Sequence, residues 1–92
     1  MPISMKGRTG ELRCGYQVAA QLGAWEWSPQ GVDDGVVDTA LTSVDEFWLE
    51  QEPLTLALPM GRQQWIWEGV KVVREGTSRA RVHLTGKPRF GQ

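Results

Sequence analysis

The stretch that decides the fold runs from residue 63 to residue 74 and reads Gln63-Gln64-Trp65-Ile66-Trp67-Glu68-Gly69-Val70-Lys71-Val72-Val73-Arg74. Trp65 and Trp67 share one face of an extended chain, and Ile66 lies on the other. A period of two among aromatic and β-branched side chains indicates a β-strand. Gly69 interrupts the pattern and permits a bulge, after which the alternation resumes. We therefore predict one long, bulged strand.

Apolar and polar residues also alternate before and after this stretch, which predicts further strands. In residues 54–58 the three leucines fall on one face, and in residues 79–85 the apolar Ala80, Val82 and Leu84 do the same. Short turns rich in glycine and proline separate these segments. Five to seven strands in so short a chain predict an all-β fold, a small antiparallel β-sandwich or barrel, with room for one short helix.

A hairpin is predicted near the N-terminus, from residues 11–14 and 17–27. One face of its second strand carries the aliphatic residues Val18, Ala20 and Leu22. Trp25 and Trp27 stand at odd-numbered positions and would point to the opposite face of a regular strand. A bulge near Gly23 is therefore predicted.

Composition divides the chain into one β domain, residues 10–88, between two polar ends. Residues 1–9 are basic and contain glycine, which is typical of a flexible arm. Residues 31–43 read as a long connection, and loops of that length are usually functional or ordered by a partner. Residues 89–92 form a short basic tail.

The segment 44–51 allows two interpretations. Ser43 and Glu46 have the spacing of a capping box, which favours a helix. Phe47 and Leu49 alternate with polar residues, which favours a strand.

Charge is strongly partitioned along the chain. The 48 residues between Arg13 and Arg62 contain no lysine or arginine and hold eight carboxylates, whereas residues 62–92 hold seven basic side chains against Glu68 and Glu75. An acidic middle and basic ends can steer copies of a chain together head to tail. The alternative is that the two blocks fold onto one surface and neutralise each other.

Size and composition indicate a single domain that oligomerisation would help to stabilise, since 92 residues bury a small core. No apolar run approaches the about 20 residues that span a bilayer, so no membrane partner is expected. Met1-Pro2-Ile3-Ser4-Met5-Lys6-Gly7 lacks the apolar segment of a signal peptide, which favours a cytoplasm-like compartment. The single Cys14 excludes an internal disulfide.

The sequence contains few residues in the patterns that catalytic sites require. The one histidine, His83, has no evident partner, and no spacing resembles a nucleophile elbow, a zinc site or a phosphate-binding loop. We expect no enzyme activity, no metal and no cofactor. Nucleic-acid binding is the alternative class, because the basic C-terminal third could follow phosphates while Trp65 and Trp67 stack on bases.

Five stretches follow one another in an order similar to that of a known family: Gly10-Glu11-Leu12-Arg13-Cys14-Gly15-Tyr16-Gln17-Val18-Ala19, Leu22-Gly23-Ala24-Trp25-Glu26-Trp27-Ser28, Val37-Asp38-Thr39-Ala40-Leu41, Trp67-Glu68-Gly69-Val70-Lys71-Val72 and Val82-His83-Leu84-Thr85-Gly86-Lys87-Pro88. Together they resemble the tail tube proteins of long-tailed bacteriophages, in a shortened form. The likeness covers most of residues 10–88.

The resemblance implies a non-enzymatic, self-assembling virion structural protein, most closely a tail-tube-like ring subunit. That family forms stacked hexameric rings around a channel through which DNA passes without specific binding. The implied partners are further copies of the chain and other virion proteins, and the implied location is the virion, with the host cytoplasm before assembly. Related virion parts, such as head–tail connectors, tail terminators and capsid decoration proteins, are the alternative.

Aromatic anchors and the charged blocks supply the candidate subunit interface, since buried aromatic residues often dominate such contacts. The resemblance places the 31–43 loop and the 1–9 arm in contacts between rings. The candidates are Trp25, Trp27, Asp33, Asp34, Asp38, Trp65, Trp67, Arg79, Arg81, Lys87 and Arg89.

Overall fold

A computed structural model describes residues 4–91, which form eight strands and one helix. The expected all-β class with one short helix is confirmed. The elements are β1 (Met5–Gly7), β2 (Gly10–Cys14), β3 (Gln17–Pro29), β4 (Gly35–Val44), α1 (Glu46–Leu49), β5 (Leu54–Met60), β6 (Gln63–Glu75), β7 (Arg79–Leu84) and β8 (Arg89–Gly91).

Six of these strands close into an antiparallel barrel. Going round the ring, β2 pairs with β3, β3 with β4, β4 with β7, β7 with β6, β6 with β5, and β5 with β2 again. Closure matters in a small β protein because it leaves these strands without a free edge to aggregate.

The barrel is closed at one end and open at the other. β3 pairs with β2 through Gln17–Leu22 but with β1 through Trp25–Trp27. β6 pairs with β7 through Lys71–Glu75 but with β8 through Gln64–Ile66. Within residues 4–91, β1 pairs only with β3 and not with β5, and β8 pairs only with β6 and not with β4. The ring is therefore unclosed where β1 and β8 take the places of β2 and β7. We call this the open end.

The core lies inside the ring and follows the alternation seen in the sequence. The three leucines of β5 are at most 5% exposed, and Ala80, Val82 and Leu84 of β7 at most 2%. Gly69 has a positive φ of 68°, and the β5–β6 register shifts opposite it, so the predicted bulge in β6 is confirmed.

The first hairpin needs one correction. The register between β3 and β4 shifts between Leu22 and Trp25, which confirms the bulge near Gly23. A second shift leaves Ala19 as the extra residue opposite β2, because Leu12 pairs with Ala20 and the next residue of β2 pairs with Val18. Val18 therefore points outward and is 38% exposed, contrary to the prediction.

Three expectations about irregular segments are wrong for the described residues. The expected arm contains β1, which pairs with β3, and the expected tail contains β8, which pairs with β6. Most of the expected 31–43 loop is β4, which lies between β3 and β7, so that only residues 30–34 remain as a connection. Residues 1–3 and Gln92 lie outside the described residues.

The ambiguous segment forms the single helical turn α1. Asp45 is its N-cap, and the Asp45 carboxylate accepts a hydrogen bond of 3.3 Å from the backbone N–H of Trp48. Ser43, the capping residue that the sequence suggested, belongs instead to β4. Among the described residues, no helix is long and apolar enough to cross a membrane.

Candidate functional site

An apolar groove of about 350 Å³ lies at the open end of the barrel. Its walls come from the end of β3, the beginning of β6 and the segment around β8. We call it the aromatic groove and define it by Trp27, Pro29, Trp65, Trp67, Pro88 and Phe90. The mouth of a β-barrel is a common position for a binding site.

Three of the rings stand edge to face in a row. The ring centroids of Trp65 and Trp67 are 6.0 Å apart at an interplanar angle of 69°, and those of Trp65 and Phe90 are 5.8 Å apart at 78°. Trp67 is 3% exposed and belongs to the core, whereas Phe90 is 61% exposed. The row therefore runs from the buried interior to the solvent and presents ring faces and edges to anything bound there.

The pairing of β6 with β5 and β8 determines where the aromatic rings of Trp65 and Phe90 lie. Trp65 is paired on one side with Leu58 of β5 and on the other with Phe90 of β8, so the docking of β8 brings Phe90 to the groove. Trp27 packs against Gly35, where an added Cβ would lie 3.0 Å from the Cε2 atom of the Trp27 indole and closer still to its nitrogen. Gly35 is thus the residue that allows Trp27 to take this position.

Charged residues form the rim. Asp33 and Asp34 lie on the connection before β4, and Lys87 lies on the segment before β8. The Asp34 carboxylate accepts a hydrogen bond of 3.2 Å from the backbone N–H of Gly86, which ties the two segments together. Val32, also at the rim, is 98% exposed.

The indole N–H groups of the groove are not used by the fold. Trp25 donates its indole N–H to the backbone carbonyl of Thr9 at 2.7 Å, as a buried tryptophan normally does. Within residues 4–91, Trp27, Trp65 and Trp67 have no such acceptor.

The structure brings together six of the eleven candidate interface residues and separates the rest. Trp27, Asp33, Asp34, Trp65, Trp67 and Lys87 line the aromatic groove. Trp25 is 3% exposed and lies in the core. Arg89 binds Glu68 at 2.9 Å, and Arg79 is exposed at the start of β7.

Asp38 and Arg81 bind each other on the outer wall of the barrel. They face each other on β4 and β7 with an N–O distance of 2.9 Å. The hydrogen bond to Asp38, together with the charges of Asp38 and Glu75, raises the pKa of Arg81 above its usual value.

The fold forms ion pairs between the acidic stretch, residues 14–61, and basic residues on either side of it. Four carboxylates of the stretch without lysine or arginine pair with basic side chains from outside it, in the pairs Lys6–Glu26, Lys71–Glu52, Arg74–Glu46 and Arg81–Asp38. Half of the eight carboxylates in that stretch are thus neutralised within the chain. These pairs are largely exposed, so each contributes little stability.

A second cavity, of about 340 Å³, lies between α1 and the end of β6 and is far more polar. Its charged groups include Glu46 and Lys71, both already paired. The Arg74 Nε is buried there without a hydrogen-bond acceptor among the described residues, although the same guanidinium binds Glu46 and the carbonyl of Thr77. The aromatic groove is therefore the stronger candidate for binding.

Phe90, Pro29 and Pro88 are groove residues that the sequence did not identify as interface candidates. Pro29 lies two residues beyond the predicted strand of residues 17–27, and Pro88 and Phe90 lie three and five residues beyond that of residues 79–85, where no further strand was predicted. Across residues 4–91, no group of three or more His, Cys, Asp or Glu side chains is placed to hold a metal ion. Comparison with protein-family models, with curated proteins and with solved structures finds no match for this chain.

Proposed function

We propose that this chain is a non-enzymatic structural subunit that associates with further copies of itself through the aromatic groove. The observation that carries the proposal is the row Trp67, Trp65 and Phe90, which continues the core outward into a concave surface. Tryptophan and other aromatic residues in desolvated pockets supply most of the binding energy of typical interfaces.

The free strands of the open end support the same proposal. Among the described residues, β1 and β8 each pair with one neighbour only, so each offers an unpaired backbone edge beside the groove. Such edges are templates for contact with another chain. A 92-residue chain with a small core also gains from burying this surface.

The resemblance to tail tube proteins suggests the assembly to which the subunit belongs. The motif-bearing residues 10–19 lie on the β2–β3 hairpin, and residues 82–88 lie on β7 and the turn after it. On that resemblance alone, the subunit belongs to a phage virion, as a tail-tube-like ring component or as a connector, terminator or decoration protein. Other virion proteins and DNA in transit are its further proposed partners.

Binding of single-stranded nucleic acid is a second candidate, favoured by the half-buried ring of Trp65 and the exposed ring of Phe90 next to Lys87. The rim weighs against it, because Asp33 and Asp34 would face the phosphates. Arg81 and Arg89 are also already bound to carboxylates. Self-association needs no such phosphate contacts and is the better supported function.

Sedimentation velocity across the micromolar to millimolar range tests the proposal. We expect concentration-dependent association of the wild type and its loss in Phe90→Ala, which removes an exposed ring and leaves the core intact. A wild type that stays monomeric throughout would refute self-association. Titration with single-stranded DNA at low and high salt tests the second candidate, which predicts binding that falls with salt.

A further inference from the structure

We infer that the occupant of the aromatic groove is the β2–β3 hairpin tip of a second copy, with Tyr16 entering beside Trp27, Trp65 and Phe90. The inference rests on the proposed self-association and names the two surfaces that meet. It follows from the position, the chemistry and the charge of the tip, taken in turn.

Tyr16 stands free at the end of the hairpin. Its side chain is 98% exposed, the highest value among the aromatic residues described as exposed. The turn is two residues long, with Gly15 at a φ of 62°, and a Cβ added to Gly15 would meet no atom within 4 Å. The tip therefore projects from the barrel without contact to the rest of its chain.

The tip and the groove lie at opposite ends of the molecule. Tyr16 immediately precedes β3, whereas Trp27 lies near the end of the same strand. An extended strand covers up to roughly 35 Å over that length. The longest dimension of the molecule is 37 Å. A copy cannot place Tyr16 in its own groove, so the contact joins two copies head to tail and repeats into a ring or a filament.

The chemistry of tyrosine matches the groove. Its ring can pack edge to face against Trp65 and Phe90, continuing the row that these residues begin. Its hydroxyl needs a polar partner when buried, and the carboxylates of Asp33 and Asp34 stand at the rim.

The tip brings no net negative charge to the acidic rim. Residues 12–22, which form the tip and its flanks, carry no carboxylate and a single cation, Arg13, which also contacts Glu11 in its own chain. The rim carries Asp33 and Asp34 against Lys87, a net charge of -1 by that count (-2 + 1). Because Arg13 is paired with Glu11, the rim meets a tip without like charge, and aromatic contact is what holds the two surfaces together.

Two variants test the contact by complementation. Tyr16→Ala removes the aromatic side chain of the tip and leaves the groove intact. Phe90→Ala removes one ring of the groove and leaves the tip intact. We expect each variant alone to associate at least about 30-fold more weakly than wild type, the loss typical of an interface hot spot. Mixed in equal amounts, they should form a heterodimer and nothing larger, because only one tip and one groove per pair remain functional.

Phe47→Ala is the matched control, since Phe47 is a second aromatic residue, 64% exposed, on α1 and not on the tip. It should associate like wild type. A Tyr16→Ala variant that associates like wild type, or a mixture that stays monomeric, would overturn the inference while leaving self-association itself standing. A monomeric wild type would instead refute the proposed function.

Site-specific cross-linking provides a second measurement. In a Cys14→Ser background, one variant carries Gln17→Cys, next to Tyr16, and the other carries Lys87→Cys, at the rim of the groove. Both variants keep Tyr16 and Phe90, and a short bismaleimide is added to the mixture. We expect a cross-linked dimer of one copy of each. Cross-linked dimers of Gln17→Cys with itself, without the mixed product, would contradict a head-to-tail contact.

Discussion

Gly7→Ala should destabilise the protein strongly, because Gly7 lies directly under the buried indole of Trp25. An added Cβ would stand 2.6 Å from the Trp25 Nε1 and closer still to two carbons of its ring. Trp25 is 3% exposed and its indole N–H is bound to the carbonyl of Thr9, so the ring has little freedom to move away.

The expected loss of folding free energy is about 2–4 kcal/mol. Overpacking a filled core costs about 1–3 kcal/mol. Shifting the indole enough to break its bond to Thr9 adds about 1 kcal/mol. For a domain of this size, about 2 kcal/mol lowers the melting temperature by roughly 8–16 °C.

Urea and thermal unfolding followed by circular dichroism measure this change. Lys6→Ala is the matched control, since Lys6 precedes Gly7 in β1 and its side chain is 76% exposed. It should stay within about 0.5 kcal/mol of wild type. In a Trp25→Leu background the effect of Gly7→Ala should shrink by at least about 1 kcal/mol, since the two sites are in contact.

If Gly7→Ala unfolds at the wild-type temperature, the N-terminal segment is not docked on β3. The flexible arm that the sequence suggested would then be the correct description, and β1 would not take part in the open end.

The remaining predictions concern the helix cap, the core and the charges. Asp45→Ala should lower the free energy of unfolding by about 0.5–2 kcal/mol through loss of the α1 cap, whereas Ser43→Ala, the cap suggested by the sequence, should change it by less than about 0.5 kcal/mol. Leu56→Ala, at a fully buried site, should cost about 2–5 kcal/mol, against less than about 1 kcal/mol for the half-exposed Val73→Ala, both measured by urea unfolding. Self-association should weaken less than about tenfold between about 50 and about 500 mM salt, because the proposed contact is mainly aromatic and four carboxylates of the acidic stretch are already paired inside each chain. A steeper loss in sedimentation would show that the blocks meet between copies.

The elements predicted correctly are those whose signal is local. The alternation in residues 63–74, the three leucines of residues 54–58 and the apolar residues of 79–85 each define a strand and its inner face without reference to the rest of the chain. The bulges at Gly23 and Gly69 also show locally, as breaks in parity with a glycine beside them.

The elements that were missed depend on a partner. β4 carries Asp38 and Thr39 in its interior and follows a turn signal, so its sequence resembles a loop. It is a strand because β3 and β7 satisfy its backbone on both sides. Thr39 is fully buried, with its hydroxyl donating to the carbonyl of Ala40 at 2.8 Å. β1 and β8 are three residues long and persist through pairing with β3 and β6.

The sequence by itself determined the β class, the inner faces of β5 and β7 and the shared face of Trp65 and Trp67, because a strand's side-chain alternation depends only on neighbouring residues. The tertiary structure decided which strands close the ring, that Trp25 enters the core while Trp27 lines the same groove as Phe90, and that four carboxylates of the acidic stretch bind basic residues from outside it. These outcomes depend on hydrogen bonds and contacts between residues far apart in the chain, and no local pattern encodes those pairings.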